Sequence, residues 1–371
     1  MLNLRQQFEK YNSLPALTEW LNQINSPELS AFNYEDNTKF DRLETLNSVI
    51  NLPYDKPESI EAIEVINNSP RFQEIMKRRA NEHCAVRLTP YDTHKPRLRA
   101  RGMSLRGYVN IWLPMQNIHF EQYRLDILPQ NTDIIHSSIF LINEYGILGE
   151  IIRGVHWQLT QGVYEKEGPI TYYFDFEKWF FSVLDEEIKI DPGQKLLNRA
   201  LDMIIVADPE KQKALRDKLD AEFTPQGYLK GYFEFFLTPQ KSVYYNDYNR
   251  LVYKKLKDFR LQINNTQAAI KGITASAGEA IGPARKIKSP KTENINKGDI
   301  LVCKAITIDY LPLIEKAGAI ITERGNLLSH TTIIARELKK PYIINAVNIT
   351  QKVSDGQKIL VDANSGSVYF V

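Results

Sequence analysis

The sequence predicts a multidomain chain of the α/β and α+β classes that closes in a compact α/β unit of about 100 residues. Three observations predict it. A helix beginning at a histidine lies between two short apolar runs, Ala317-Gly-Ala-Ile-Ile321 and Pro341-Tyr-Ile-Ile-Asn-Ala346, each reading as a buried strand. From Gly272 onward, glycine turns recur between short apolar runs. Upstream, the pattern changes from helical to strand-like near residue 83 and back to helical near 172. These shifts give a mixed α/β region over 1–170, a helical region over 171–262, a polar linker over 263–271 and the closing unit over 272–371.

Composition sets the frame. A chain of 371 residues with 43% hydrophobic and 25% charged residues has room for two or three packed domains. Its net charge of +2 gives no electrostatic case for nucleic acid or an acidic membrane surface. Cys84 and Cys303 are its only cysteines, which suggests neither a disulfide framework nor a cysteine metal site. No run of about 18 apolar residues occurs, and Met1-Leu-Asn-Leu-Arg-Gln-Gln7 lacks the apolar core of a signal peptide. A cytoplasmic protein is the expectation.

In chain order, residues 1 to about 80 read as helices, with Leu2, Phe8, Leu17, Trp20, Leu21 and Ile24 as packing positions. Helices are expected over Glu58–Asn68 and Pro70–Asn81, after the turn-rich 51–57. His83–Leu88 reads as a strand. Arg97, Arg99 and Arg101 then alternate, which on an extended chain puts three guanidinium groups on one side. Such a comb can hold polyphosphate; the alternative is a solvated, charged edge strand. Phe120–Leu128 and Ser137–Glu144 read as paired strands, followed by Tyr145–Gly154. Glu144 and Glu150 stand at strand ends beside glycine turns, positions that suit Mg²⁺ when phosphate completes the shell. The alternative is a β-meander with surface carboxylates. Phe176, Trp179, Phe180 and Leu184 fall at helical intervals and read as core. A helix over Glu210–Leu219 is expected, with Asp208 as N-cap and Pro209 at its first position. Tyr228–Leu237 and Val243–Leu261 complete the helical set.

In the closing unit, Ser329 suits the N-cap of the histidine helix, Lys339 and Lys340 its C-terminal end, and Pro341 stops it. His330 opens the helix. A helix N-terminus offers unpaired N–H groups and positive potential, which suits a group that will carry a phosphoryl anion and keeps the imidazole neutral. The alternative is a capping or solvent-exposed histidine.

The closing unit resembles the phosphohistidine swivel domain of the phosphoenolpyruvate-utilising enzymes, such as pyruvate phosphate dikinase, phosphoenolpyruvate synthase and rifampicin phosphotransferase. The likeness rests on Ser276-Ala-Gly278, Gly298-Asp-Ile-Leu-Val302, Lys316-Ala-Gly-Ala-Ile320 and the segment 325–341 around Ser329-His330, in that order. Asn326 stands where the family has a second glycine, and Thr331 and Thr332 where small residues are usual. Asparagine can take a left-handed backbone, which predicts that the turn is kept. The two threonines narrow the space around His330.

The resemblance implies that His330 becomes a phosphohistidine, with Gly325, Asn326, Ser329 and Thr331 shaping its turn and helix start. It implies a donor domain of the ATP-grasp type, with Mg²⁺ and ATP or phosphoenolpyruvate as phosphoryl donor. Tyr145–Gly154 and Ala85-Val-Arg87 are similar to short segments of that domain. Arg87 and Glu150 are therefore the first candidates for nucleotide and metal, with Arg97, Arg99, Arg101 and Glu144 behind them. No glycine-rich, lysine-bearing segment is visible early in the chain, and no barrel for phosphoenolpyruvate follows Val371. A reduced member is expected, working on a small-molecule donor and acceptor, with a separate subunit as a source of a missing site. The reading is a phosphotransferase acting through His330. The alternative is a non-autonomous phosphocarrier or regulatory subunit.

Overall fold

A computed structural model describes residues 15–129, 134–162, 164, 168–183, 191–240, 242–261 and 268–371. The expected packing positions Leu2, Phe8 and Leu184, and most of the 263–271 linker, lie outside these residues. Among the described residues no helix is long and apolar enough to cross a membrane.

Three helices open the described chain: α1 (Leu17–Gln23), α2 (Leu29–Asn37) and α3 (Lys39–Ile50). A four-stranded antiparallel sheet follows, made of β1 (Glu58–Glu61), β2 (His83–Pro90), β3 (Leu98–Ser104) and β4 (Tyr123–Pro129) in the order β1-β4-β2-β3. Helices α4 (Ala62–Ile66) and α5 (Pro70–Arg79) lie between its first two strands. The helix expected from Glu58 therefore starts four residues later, because Glu58–Glu61 is drawn out by pairing with β4.

A six-stranded antiparallel sheet comes next: β5 (His136–Ile142), β6 (Gly146–Arg153), β7 (Ile170–Asp175), β8 (Phe180–Val183), β9 (Gly231–Leu237) and β10 (Val243–Asn249), in the order β10-β9-β5-β6-β7-β8. Helices α6 (His156–Gln161), α7 (Asp191–Asp202), α8 (Pro209–Leu219) and α9 (Arg250–Leu256) accompany it. Asp208 caps α8 as expected, its Oδ1 accepting the Glu210 N–H at 2.9 Å. Two expectations are corrected. The segments around 125 and 140 do not pair with each other: β4 and β5 belong to different sheets. Residues 231–237 and 243–249 are strands, not helices, and Phe176–Trp179 is the turn between β7 and β8. Every residue of β9 is buried, so no alternation marks it as a strand.

The closing unit holds β11 (Ile270–Lys271), β12 (Ile273–Ser276), β13 (Glu279–Lys286), β14 (Ile300–Cys303), α10 (Leu311–Lys316), β15 (Ala319–Thr322), α11 (His330–Glu337), β16 (Tyr342–Ile344), α12 (Ile349–Lys352), β17 (Lys358–Asp362) and β18 (Ser367–Phe370). Its sheet runs β11-β18-β17-β13-β14-β15-β16-β12, and the steps from β13 to β16 are parallel. The expected closing hairpin is β17–β18. One continuous apolar core joins this unit to the rest. Leu327, Leu328, Ile333 and Ile334 pack in the same cluster as Trp20, Ile139, Leu148 and Leu159. That shared core presses the start of α11 against the six-stranded sheet.

Candidate active site

His330 is the first residue of α11, and Ser329 caps the helix, its Oγ accepting the Thr332 N–H at 3.4 Å. Gly325 is required by close approach: a Cβ there would sit 2.6 Å from Ile344 Cγ2. Asn326 does not adopt the left-handed backbone expected of it. It holds the turn by hydrogen bonds instead. Its carbonyl accepts Thr332 Oγ1 at 2.7 Å and Ser329 Oγ at 3.0 Å, and its Nδ2 donates to the Leu159 carbonyl at 3.2 Å. Thr331 is buried beside His330, its Oγ1 without a hydrogen-bond partner.

The imidazole is half-buried, with Nδ1 3.3 Å from Gln161 Nε2 at the end of α6. Gln161 is itself fixed by donating to the Pro15 carbonyl at 2.8 Å. Burial first, then Arg99 and Arg101, push the His330 pKa down to about 3 against the opposing pull of Asp36 and the Pro15 carbonyl. The ring is therefore neutral at pH 7 and keeps a lone pair for nucleophilic attack.

His330 opens on a pocket of about 860 Å³, solvent mouth included, between the two N-terminal sheets. One wall is cationic. Arg87 and Arg99 stand opposite each other across β2 and β3, Arg101 lies two residues further along, and Lys39 begins α3. Arg87 is buried over the Phe40 ring at 5.1 Å, with Nη1 lacking a hydrogen-bond partner. Burial first, and neighbouring cations second, push Arg87 down to about 9 and Arg101 down to about 10. Both stay charged at pH 7. A buried array of like charges with an orphaned donor is poised for a polyanion.

The facing wall is acidic. A β-bulge between Tyr245 and Asp247 sets Asp247 directly opposite Glu234 on the β9–β10 pair. Glu234 accepts Asn246 Nδ2 at 3.2 Å and the Tyr232 hydroxyl at 3.3 Å. Asp247 Oδ1 has no hydrogen-bond partner and lies 3.7 Å from Arg42 Nη2. Burial first, then Asp247, raise the Glu234 carboxyl to about 7, and burial raises Asp247 as well. Two carboxylates in opposed register repel each other unless a cation lies between them. Among the described residues no three His, Cys, Asp or Glu side chains form a metal cage. A divalent cation here would need phosphate oxygens to complete its shell, which fits Mg²⁺.

Two of the three comb arginines reach the pocket. Arg99 and Arg101 line the pocket with Arg87. Arg97 precedes β3 and turns to α2, bonding the Asp36 carbonyl and Asn37 Oδ1 (3.2 Å). Burial pushes the Asp36 carboxyl up, but Arg97, Arg99, Lys39 and Arg87 outweigh it and hold it well below the carboxylate range.

The two expected metal carboxylates are corrected. Glu144 is exposed and paired with Lys230, and Glu150 is buried on β6 with both oxygens taken by backbone N–H groups of the histidine turn. Neither lines the pocket. Sequence reasoning missed Glu234, Asp247 and Gln161. The aromatic-rich run Val243-Tyr-Tyr-Asn-Asp-Tyr-Asn249 is a strand signal that could have placed Asp247. It also missed Lys39, which presents a cation at a helix start without any glycine-rich loop.

Known proteins resemble the closing unit. Residues 295–366 match the mobile domain of PEP-utilising enzymes. A probable phosphoenolpyruvate synthase of Staphylothermus marinus is 34% identical over 112 residues, 29% of this chain and 13% of that protein. An uncharacterised phosphotransferase of Bacillus subtilis, YvkC, is 41% identical over 108 residues, 29% of this chain and 13% of its own length. A pyruvate kinase of Lactobacillus delbrueckii subsp. bulgaricus is 36% identical over 112 residues, 30% of this chain and 19% of that protein. The matches thus span under a fifth of these relatives. Among solved structures, the macrocyclase MdnC from Microcystis aeruginosa aligns over 57% of this chain and 51% of its own at 10% identity, with a TM-score of 0.28. N5-carboxyaminoimidazole synthase from Aspergillus clavatus aligns over 57% and 43% at 14% identity, with a TM-score of 0.27. At those scores the likenesses carry no inference. The matched segment holds Ser329, His330 and the whole of α11, so residues 295–366 are similar to the mobile domain of the phosphoenolpyruvate-utilising enzymes.

Proposed function

We propose that the chain is a phosphotransferase in which His330 takes a phosphoryl group from ATP and passes it to a separate small-molecule acceptor. The observation that carries this reading is that a neutral His330 imidazole opens on the same pocket as three arginines, Lys39 (pushed down to about 7 by burial and by Arg87) and a carboxylate pair. Phosphoenolpyruvate, with one phosphate, would engage fewer of those cations than a triphosphate, so ATP is the better match.

In the transfer, a ring nitrogen of His330 attacks phosphorus in line. The N–P bond forms, the P–O bond to the leaving oxygen breaks, and that oxygen keeps the electron pair. Lys39, Arg87, Arg99 and Arg101 hold the departing phosphate through charge-assisted hydrogen bonds. Glu234 and Asp247 would hold Mg²⁺, which balances charge between the phosphates. An acceptor hydroxyl oxygen then attacks phosphorus, the N–P bond breaks with its electron pair returning to the ring nitrogen, and the proton lost by the hydroxyl restores the neutral ring.

Incubation with Mg²⁺ and γ- or β-labelled ATP is expected to put an acid-labile, base-stable label on His330 and none on His330→Ala. Label that appears only after a second protein is added supports the alternative, a non-autonomous phosphocarrier. No label under either condition refutes both.

The pocket's acidity sets a pH dependence. Glu234 is raised to about 7, so below that pH a proton competes with the cation for its carboxylate. The affinity for Mg²⁺ is expected to rise from pH 6 to pH 8, by up to roughly tenfold per unit below the pKa. Nucleotide affinity gains less, because burial pushes Lys39 down to about 7 and it loses its charge over the same window. Calorimetry in two buffers should register proton release on binding. His330 adds no acidic limb above about pH 4, because its imidazole is already neutral there. An affinity flat across this range would remove Glu234 from the metal site.

A further inference from the structure

The strand β6 is apolar at Ile147, Leu148, Ile151 and Ile152, yet Glu150 stands among them with 1% of its surface exposed. A carboxylate buried in an apolar strand needs partners strong enough to replace water. Glu150 finds them in the other unit. Its Oε1 accepts the Leu327 N–H at 2.7 Å and its Oε2 accepts the Leu328 N–H at 3.3 Å. Those amides belong to the turn that leads directly into Ser329 and His330. Burial pushes the Glu150 carboxyl up to about 7, against the two N–H donors and the weaker pull of Arg336 on the same helix as His330. The Leu327 and Leu328 side chains are themselves fully buried in the shared core.

The arrangement fixes the turn at both ends of its short span. Asn326 Nδ2 reaches the Leu159 carbonyl on α6, and Gln161 of the same helix touches the His330 ring. Between these two contacts, Glu150 supplies the only charged group that receives the turn's backbone among the described residues. Two convergent N–H donors on one carboxylate define the position of a turn to within a fraction of an ångström. A nucleophile one ångström from its in-line position loses about 10²-fold in rate.

We propose that Glu150 is a positioning residue: it holds the His330 turn in register with the donor pocket and so sets the rate of phosphoryl uptake, not the affinity for the donor. This rests on the phosphohistidine reading above. Glu150 touches neither pocket wall, so the donor's binding groups are unaffected by its loss.

The test uses the full chain with Glu150→Gln, which keeps shape but offers one acceptor, and Glu150→Leu, which restores an apolar strand. Hydrogen exchange should show the Leu327 and Leu328 amides losing protection by at least roughly tenfold in both variants. Single-turnover labelling of His330 from Mg²⁺-ATP should slow by roughly 10–100-fold. The dissociation constant for Mg²⁺-ATP should stay within about twofold, while both variants melt lower than the parent because buried N–H groups lose an acceptor. A purely structural role would instead slow labelling only in proportion to the folded fraction lost at the assay temperature. Unchanged amide protection in both variants overturns the proposal, as does a slower rate matched by an equal loss of nucleotide affinity. If the unsubstituted chain takes no label, the phosphohistidine reading falls, while the exchange comparison still decides whether Glu150 holds the turn.

Discussion

Replacing Asp247 with asparagine is expected to slow labelling of His330 from Mg²⁺-ATP by roughly 10²–10³-fold, the loss typical of one electrostatic group at a transition state. Asp247 stands opposite Glu234 across an antiparallel pair, and its Oδ1 is buried without a hydrogen-bond partner. An acceptor left unsatisfied in a buried site costs stability unless something binds it. The substitution keeps the volume and removes the charge that would hold the cation. Glu234→Gln should behave alike, and the two together should lose little more than either alone, because they act through one ion. Glu144→Gln is the matched control. Its carboxylate is exposed, pairs with the buried Lys230 and lies outside the pocket lining, so labelling should be unchanged within about twofold. Equal effects at Asp247 and Glu144, measured by single-turnover labelling, would place the cation elsewhere.

What the sequence made legible divides along a physical line. The His330 turn was readable because each of its features is local. Ser329 caps within three residues, Pro341 ends the segment, and the flanking apolar runs are short enough to be buried strands. Arg99 and Arg101 were readable because alternation on a strand is a period-two signal, and both reach the pocket. Arg97 failed that rule because it lies one residue before the strand begins, where Asp36 captures it.

The acidic wall was illegible for the opposite reason. Gly231-Tyr-Phe-Glu-Phe-Phe-Leu237 is buried on both faces, so apolar residues fill consecutive positions and the run mimics a buried helix. The bulge that re-aims Asp247 exists only in the pairing of two strands. Glu150 was read as a metal ligand, because its partners, two backbone N–H groups, lie 177 and 178 residues away. No spacing rule reaches that far.

The largest effect on stability is expected at Glu35, on α2, far from any motif in the sequence. Its carboxylate accepts the Arg250 backbone N–H at 2.7 Å and Arg250 Nη2 at 2.8 Å, and lies 3.5 Å from Arg42 Nη1. Arg42 is almost fully buried and also donates to the Tyr248 carbonyl at 2.9 Å. One carboxylate therefore ties α2, α3 and the β10–α9 junction together. Glu35→Ala leaves Arg42 buried with its main counter-charge gone, a change that costs roughly 3–5 kcal/mol. In calorimetry the first unfolding transition should fall by roughly 6–20 °C; the chain has several cores, so later transitions need not move. The sign of the pH dependence follows from the same contacts. Burial raises the Glu35 carboxyl, but Arg42 and Arg250 outweigh it and hold its folded pKa below the ordinary value. Its contribution is therefore complete above the unfolded pKa of about 4.3 and fades as pH falls through the folded one. The gap between parent and Glu35→Ala should be full at pH 7 and narrow below about pH 4. A gap that stays constant on acidification would mean that the lost packing of α2, and not the ion cluster, accounts for the change. Because Arg42 also lies 3.7 Å from Asp247, this cluster reaches the pocket from behind. Glu35→Ala should accordingly weaken Mg²⁺-ATP binding even at temperatures where the fold persists, since Arg42 released from Glu35 would compete with the cation for Asp247.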